Sequence, residues 1–175
     1  MQQIQNEIQS TESSTRRTAQ AVILIALGVA LAPFTSIPLG VARVNPTQHF
    51  VNVVGAVLLG PVWATGVAFA IGLIRNALGV GTLLAFPGGM VGALTAGLTY
   101  RFTKHLYGAA AAEVFGSGIV GALLGAALVA PVFMDSPEPL LAFVPSFLGS
   151  SILGAVLGVA ALKVLRRAGV IDGAR

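Results

Sequence analysis

The stretch "ARVNPTQHFVNV", Ala42 to Val53, gathers Arg43, Asn45, Gln48, His49 and Asn52 inside an otherwise apolar chain. Polar and ionisable side chains in such surroundings usually face a cavity or a bundle interior and carry function. With a helix beginning near Pro46, Gln48 and Asn52 are four apart and His49 lies three before Asn52, so they share a face. A neutral imidazole can donate to, or accept from, a heteroaromatic nitrogen or an alcohol. His49 and Asn52 are therefore read as one wall of a ligand pocket. Asn45 and Gln48 lie nearer the helix start, where Asn favours the N-cap position, and capping at the water boundary accounts for them.

Other polar residues join this group. Glu113 stands within an apolar run, with Ser117 four residues on and on the same helical face. Three roles stay open for Glu113: ligand contact, an internal ion pair or hydrogen bond, and a proton-linked group. Arg75 and Asn76 close another apolar run, where the Arg either snorkels to the interface or braces outer loops and contacts ligand. In "GTLLAFPGG", Gly81 to Gly89, Pro and Gly make the backbone irregular, which is tolerated at membrane depth where it lines a cavity. Thr82 would offer a hydroxyl there, and Phe86 a ring to stack on a flat heterocycle. In "FVPSFLGSS", Ser146, Ser150 and Ser151 are absorbed by bonding their own helix, while Phe143 and Phe147 either wall a pocket or pack. Trp63 and Tyr100 fit an interfacial aromatic belt.

The same inventory excludes much chemistry. Without Cys there are no disulfides, thiolate metal sites or Cys nucleophiles. No phosphate-loop pattern GxxxxGK[ST] and no metal motif HExxH occurs. "FGSG" around Ser117 resembles an intramembrane serine-protease motif, but the position two before the serine is Phe115 rather than Gly. His49 and His105 fall at opposite membrane faces, and a base must reach its nucleophile within about 3 Å. No enzyme, no metal and no cofactor is expected.

These residues need elements to hold them. The chain of 175 residues is 55% hydrophobic and 9% charged, with mean hydropathy +0.88. A soluble domain carries roughly a quarter charged residues, so an integral membrane protein of one domain is expected. The net charge of +4 does not indicate nucleic acid, because the basic residues sit at the ends of apolar runs instead of forming one patch. Apolar runs cover 18–34, 49–74, 83–100, 108–132 and 140–165. Gly60-Pro61 divides the second into a short helix from about Pro46 to Leu59 and another from about Pro61 to Leu78. Charge supports that division. Six spans put Arg16, Arg17, Arg101, Lys104, Lys163, Arg166 and Arg167 on one side, against Arg43, Asp135 and Glu138 on the other. Lys and Arg mark cytoplasmic loops. The expected fold is an all-α bundle of six transmembrane helices over 17–167. A flexible polar tail over 1–16 and a short tail over 168–175 are both expected in the cytoplasm. The "PFTSIPLGVARVNP" segment is expected as an outer loop.

The segments "NPTQHFVNVVGAVLLGP", "RNALGVGTLLAFPGGM" and "AEVFGSGIVGALLG" resemble the ThiW family in order and spacing, from about Arg17 to Leu165. Its members are substrate-binding S components of energy-coupling factor (ECF) transporters. The resemblance implies a six-helix bundle with a pocket near the outer face. It implies docking on a shared transmembrane coupling subunit that joins two cytoplasmic ATPases, and transport by tipping of the S component in the bilayer. The implied substrate is a thiazole precursor of thiamin such as hydroxyethylthiazole. S components carry small residues four apart in their first helix where they meet the shared subunit, and Ala26 and Ala30 match that pattern. The expected substrate-binding set, from the residues themselves with the family-like motifs beside them, is His49, Asn52, Arg75, Asn76, Thr82, Phe86, Glu113 and Ser117. The competing reading is a stand-alone proton-coupled carrier with Glu113 or His49 holding the proton. A purely structural subunit would leave the polar cluster without use.

Overall fold

The computed structural model describes residues 1–39 and 42–171, with side chains for all of these but 2–13, 38–39 and 42–43. The fold is helical. Helix α1 spans Gln2–Thr35, so the residues expected as an N-terminal tail continue the first helix. Part of the segment expected as an outer loop is instead a small antiparallel hairpin. Strand β1 (Ile37–Leu39) pairs with β2 (Ala42–Val44), Ile37 opposite Val44. The side chain of Arg43 lies outside the described residues, as does the end of the expected C-terminal tail.

Helix α2 runs Pro46–Leu59 and α3 runs Pro61–Ala77. Each opens with proline at its first position, where the missing N–H costs nothing and the fixed φ suits a helix. Between them Gly60 takes φ 84°, ψ 178°, a conformation that L side chains rarely adopt. The division expected at Gly60-Pro61 is thus a true break and not a kink. Helix α3 ends in a Schellman turn: Gly79 at φ 71° donates to Asn76 O, and Val80 N–H donates to Arg75 O. Helix α4 spans Ala85–Thr103 and ends on Lys104 in the left-handed region.

Helix α5 covers Leu106–Phe133 and is interrupted by two π-helical stretches, Gly116–Gly121 and Gly125–Val129. Such bulges insert an extra residue per turn and often mark functional sites. Here the first brings glycines against α4: a Cβ added to Gly121 would lie 2.6 Å from Gly88 Cα. Helix α6 spans Val144–Arg167.

Among the described residues, Ser14–Thr35, Leu106–Phe133 and Val144–Arg167 are long and apolar enough to cross a membrane. Their outer faces are apolar. On α6, Ile152, Leu153, Val156 and Leu157 are at least half exposed, while Gly154, Gly158 and Leu162 turn inward. That is the inverse of a water-soluble surface and fits lipid.

The shortest of these helices is the most enclosed. All the other helices pack against α2, and nearly every residue from Thr47 to Ala56 is buried. Its polar side chains therefore face protein. Lipid tails are as apolar as Leu, so helices in a bilayer gain by close packing, which favours small residues. One core layer consists solely of Ala56, Ala64, Ala68, Ala93 and Ala96. On α6, Gly154 sits where a side chain would strike Pro46 O and His49 Cβ. That close approach seats α6 against the polar end of α2.

Candidate functional site

The start of α2, the end of α3, the loop after it, and the starts of α4 and α6 converge at one end of the bundle. They border a pocket that is open at its mouth. Asn45, Gln48 and His49 form its α2 wall. Arg75, Gly81 and Thr82 contribute from the α3 end and the loop. Gly88 and Gly89 of α4 form a floor without side chains, and Phe147 and Ser150 of α6 close the remaining side. Arg75 is buried, 5% exposed, so it does not simply reach out to an interface.

Behind His49 lies a buried polar cluster centred on Glu113. Glu113 Oε1 is 2.8 Å from His49 Nδ1, accepts from Asn52 Nδ2 at 3.0 Å and from Ser117 Oγ at 2.7 Å. Ser117 Oγ also lies 2.8 Å from Gly88 O, so its one proton is shared between two acceptors. Gln48 Nε2 donates to Asn52 Oδ1 at 3.2 Å. Glu113 and Ser117 are fully buried and Asn52 is 1% exposed. Space for this cluster comes from Gly92, where a side chain would displace Ser117 Oγ and come within 2.8 Å of Glu113 Oε1. Among the described residues no three His, Cys, Asp or Glu cluster as metal ligands would.

The residues expected to bind substrate thus separate into layers. His49, Arg75 and Thr82 line the pocket. Asn52, Glu113 and Ser117 stand behind His49 and reach the pocket through it. Asn76 braces the loop, donating from Nδ2 to Gly72 O at 2.8 Å and to Thr82 O at 3.1 Å. Phe86 packs away from the pocket wall, its ring 5.6 Å from that of Phe69 and against Gly72. Ala26 and Ala30 are exposed on the outer face of α1.

Two residues read as helix caps behave otherwise. Asn45 holds the N-cap position of α2 but makes no side-chain capping bond. Its Nδ2 donates to Ala32 O of α1 at 3.3 Å, and its backbone N–H donates to Ser150 Oγ at 2.9 Å. The Ser150 hydroxyl, expected to bond its own helix, accordingly serves the start of α2. Gln48 points inward to Asn52. Gly88 and Gly89 carry no functional group, so only the packing reveals their place in the site.

The opposite end of the bundle is basic. Arg166 Nη2 donates to Tyr100 Oη at 3.0 Å, which ties the ends of α6 and α4 together. Lys163 lies over the Tyr107 ring at 4.9 Å. Arg101, Lys104 and Arg167 sit at the same helix ends. The groove lined by Gln20 and Leu165 places the start of the apolar part of α1, and with it Arg16 and Arg17, at this end too.

An intramembrane serine hydrolase does not fit this arrangement. Glu113 stands between Ser117 and His49, and a fully buried hydroxyl offers no path to a substrate bond. Comparison with curated proteins and with solved structures gave no match. A family model described as thiamine-precursor transporter protein, ThiW, matches residues 18–168. With most of its length covered by that model and with helices apolar enough to cross a bilayer, the chain belongs to the ThiW family of membrane transport proteins.

Proposed function

We propose that this protein is the S component of an ECF-type importer and binds a thiazole precursor of thiamin, such as hydroxyethylthiazole, in the pocket between α2, α3, α4 and α6. The observation carrying this reading is the position of the pocket at the end of the bundle opposite the basic residues. Lys and Arg favour the cytoplasmic side, so the pocket opens outward, both termini are cytoplasmic, and all six helices contribute to the membrane domain. His49 contacts the ligand, Arg75 and Thr82 border it, and Asn52, Glu113 and Ser117 hold His49. The exposed Ala26 and Ala30 strip meets the shared transmembrane coupling subunit, which connects to two cytoplasmic ATPases. The chain has no phosphate loop of its own.

Calorimetric titration of the detergent-solubilised protein tests this. Hydroxyethylthiazole is expected to bind, and His49→Ala to weaken binding by roughly tenfold or more, the cost of one lost hydrogen bond in a desolvated site. Folded protein that gives no heat with hydroxyethylthiazole or thiamin would sink the substrate assignment.

One observation favours a second reading, a stand-alone proton-coupled carrier: the buried contact between His49 and Glu113. It predicts that the protein alone, reconstituted in vesicles, accumulates ligand when a pH gradient is imposed, and that Glu113→Gln abolishes uptake. An S component without its partners accumulates nothing under the same gradient.

A further inference from the structure

A neutral imidazole donates from one ring nitrogen and accepts at the other, so His49 has two opposite ways to meet a ligand. Which nitrogen holds the proton follows from the bonds the ring makes. One nitrogen is already engaged: His49 Nδ1 lies 2.8 Å from Glu113 Oε1.

The other partners of that oxygen place the proton. Oε1 accepts from Asn52 Nδ2 at 3.0 Å and from Ser117 Oγ at 2.7 Å. Turning the Asn52 amide over would set its oxygen against the carboxylate, and its nitrogen against the Gln48 nitrogen that donates to it. Oε1 is thus an acceptor for two neighbours. A proton of its own would leave it little capacity for either, so the proton between Glu113 and His49 belongs to Nδ1. Nε2 of the neutral ring then carries a lone pair. An imidazolium would add an N–H there, and among the described residues no acceptor meets it.

The ring is anchored along one side. Its Cβ packs against α6, where a side chain at Gly154 would come within 2.5 Å of it. Nδ1 faces Glu113 on α5. The edge left over carries Nε2, because the two nitrogens flank Cε1. Nε2 has no partner among the described residues, yet it is not one of the enclosed polar atoms that lack one, so it keeps accessible surface. The side chain is 8% exposed, and the cavity it borders is the pocket.

We infer that His49 presents Nε2 to the pocket as a hydrogen-bond acceptor and selects ligands by a donor. For a thiazole alcohol, the hydroxyl meets His49, and the ring nitrogen, which only accepts, is turned elsewhere. An acceptor left unpaired in a desolvated site costs free energy, and such a site rejects an analogue that lacks the donor. Glu113 is here a positioning residue, which fixes the tautomer from behind. The inference rests on the pocket being the substrate site. The polarity of His49 is measurable without ligand, so the two stand or fall separately.

Nitrogen-15 NMR of protein carrying ring-labelled histidine reads the tautomer directly. His105→Asn removes the other histidine, which is exposed at the basic end, and Asn still suits its N-cap position. In ligand-free protein near neutral pH, Nδ1 should be protonated and Nε2 bare. Hydroxyethylthiazole should shift the Nε2 signal while Nδ1 keeps its proton. A protonated Nε2 in ligand-free protein would overturn the inference.

Affinities for two pairs matched in size test the selection. Hydroxyethylthiazole is set against its propyl analogue, and the methoxyethyl ether, which accepts but cannot donate, against its butyl analogue. The alcohol should bind roughly tenfold more tightly than the propyl compound, and the ether no more tightly than the butyl one. His49→Asn keeps an amide donor for Glu113 but has nothing at the place of Nε2. It should cut the advantage of the alcohol to about twofold or less with little loss of affinity for the propyl compound, which loosened packing would not do. Should that variant fail to fold, the wild-type ratios and spectrum still decide. An ether as favoured as the alcohol would mean that the ring donates, and an alcohol without advantage would mean that Nε2 makes no contact. Either result overturns the inference. If none of the four compounds binds, the thiazole assignment falls, and the spectrum alone decides the polarity of His49.

Discussion

The two ends of this bundle solve the same problem in opposite ways. Each holds polar groups in a chain that is mostly hydrocarbon. At the basic end, Lys163 and Arg166 lie on or beside aromatic rings, and Lys163 is exposed. Long side chains there bury their stems and keep their charge near water. At the pocket end the residues gathered behind the wall have short reach and are more than nine-tenths buried. His49, Asn52 and Ser117 converge on one carboxylate oxygen. The first arrangement is adaptable and loses little when one member goes. The second has no solvent to fall back on, so removing the hub leaves several groups unsatisfied together.

Glu113→Ala should therefore be the most damaging single change. It strips Asn52 and Ser117 of an acceptor and His49 of its partner. Leaving buried hydrogen-bonding groups unsatisfied costs about 1–3 kcal/mol, enough to lower the midpoint of heat-induced aggregation, followed by size exclusion, by several degrees. Glu113→Gln keeps the volume and one acceptor and should cost clearly less. A midpoint for Glu113→Ala no lower than that of Val156→Ala, on the exposed face of α6, would mean the three partners find other bonds.

The next largest effect separates packed from open glycines. Gly92→Ala places a methyl group on Ser117 Oγ and beside Glu113 Oε1, an overpacking that costs about 1–3 kcal/mol. It should also weaken ligand binding, because Ser117 and Glu113 hold His49. Gly66→Ala, exposed in α3 with no heavy atom within 4 Å of the new Cβ, should be neutral or stabilise by about 0.5–1 kcal/mol through helix propensity. Heat stability and ligand affinity of the pair give the contrast directly, and equal responses would remove the argument for a tightly packed polar cluster.

How much of this the sequence carries depends on the range of the forces involved. The break between α2 and α3 is legible because Gly60 and Pro61 act locally, one through a φ that favours Gly and the other through a missing N–H. The shared face of His49 and Asn52 is legible because helical spacing is local too. The partner of His49 is not. Counted along α5 from Leu106, Glu113 lies about two turns from the basic end. Helix α2, however, is only 14 residues long and sits wholly inside the bundle, so its fourth residue already meets Glu113. Nothing local records how deep a short helix lies. Asn45 shows the same limit. Its type fits a cap and its position is the cap position, yet the carbonyl of Ala32 on another helix claims its side chain. Phe86 illustrates the reverse: a ring suited to stacking on a ligand is taken up by Phe69 and by the space left at Gly72.

The smallest expected effect lies at the basic end and tests whether the two ends are independent. Tyr100→Phe removes the hydroxyl that accepts from Arg166 Nη2 and keeps the ring near Lys104. The guanidinium sits on the last turn of α6, where it can turn toward the interface and recover its bonds from water and lipid headgroups. The cost in stability should stay below about 1 kcal/mol. Ligand affinity should not change, since Tyr100 lies roughly 17 Å along α4 from Gly89 in the pocket wall. Calorimetry on Tyr100→Phe checks both statements. A severalfold loss of affinity would mean that the clasp between α4 and α6 holds the pocket open from afar, and the two ends would then have to be treated as one device.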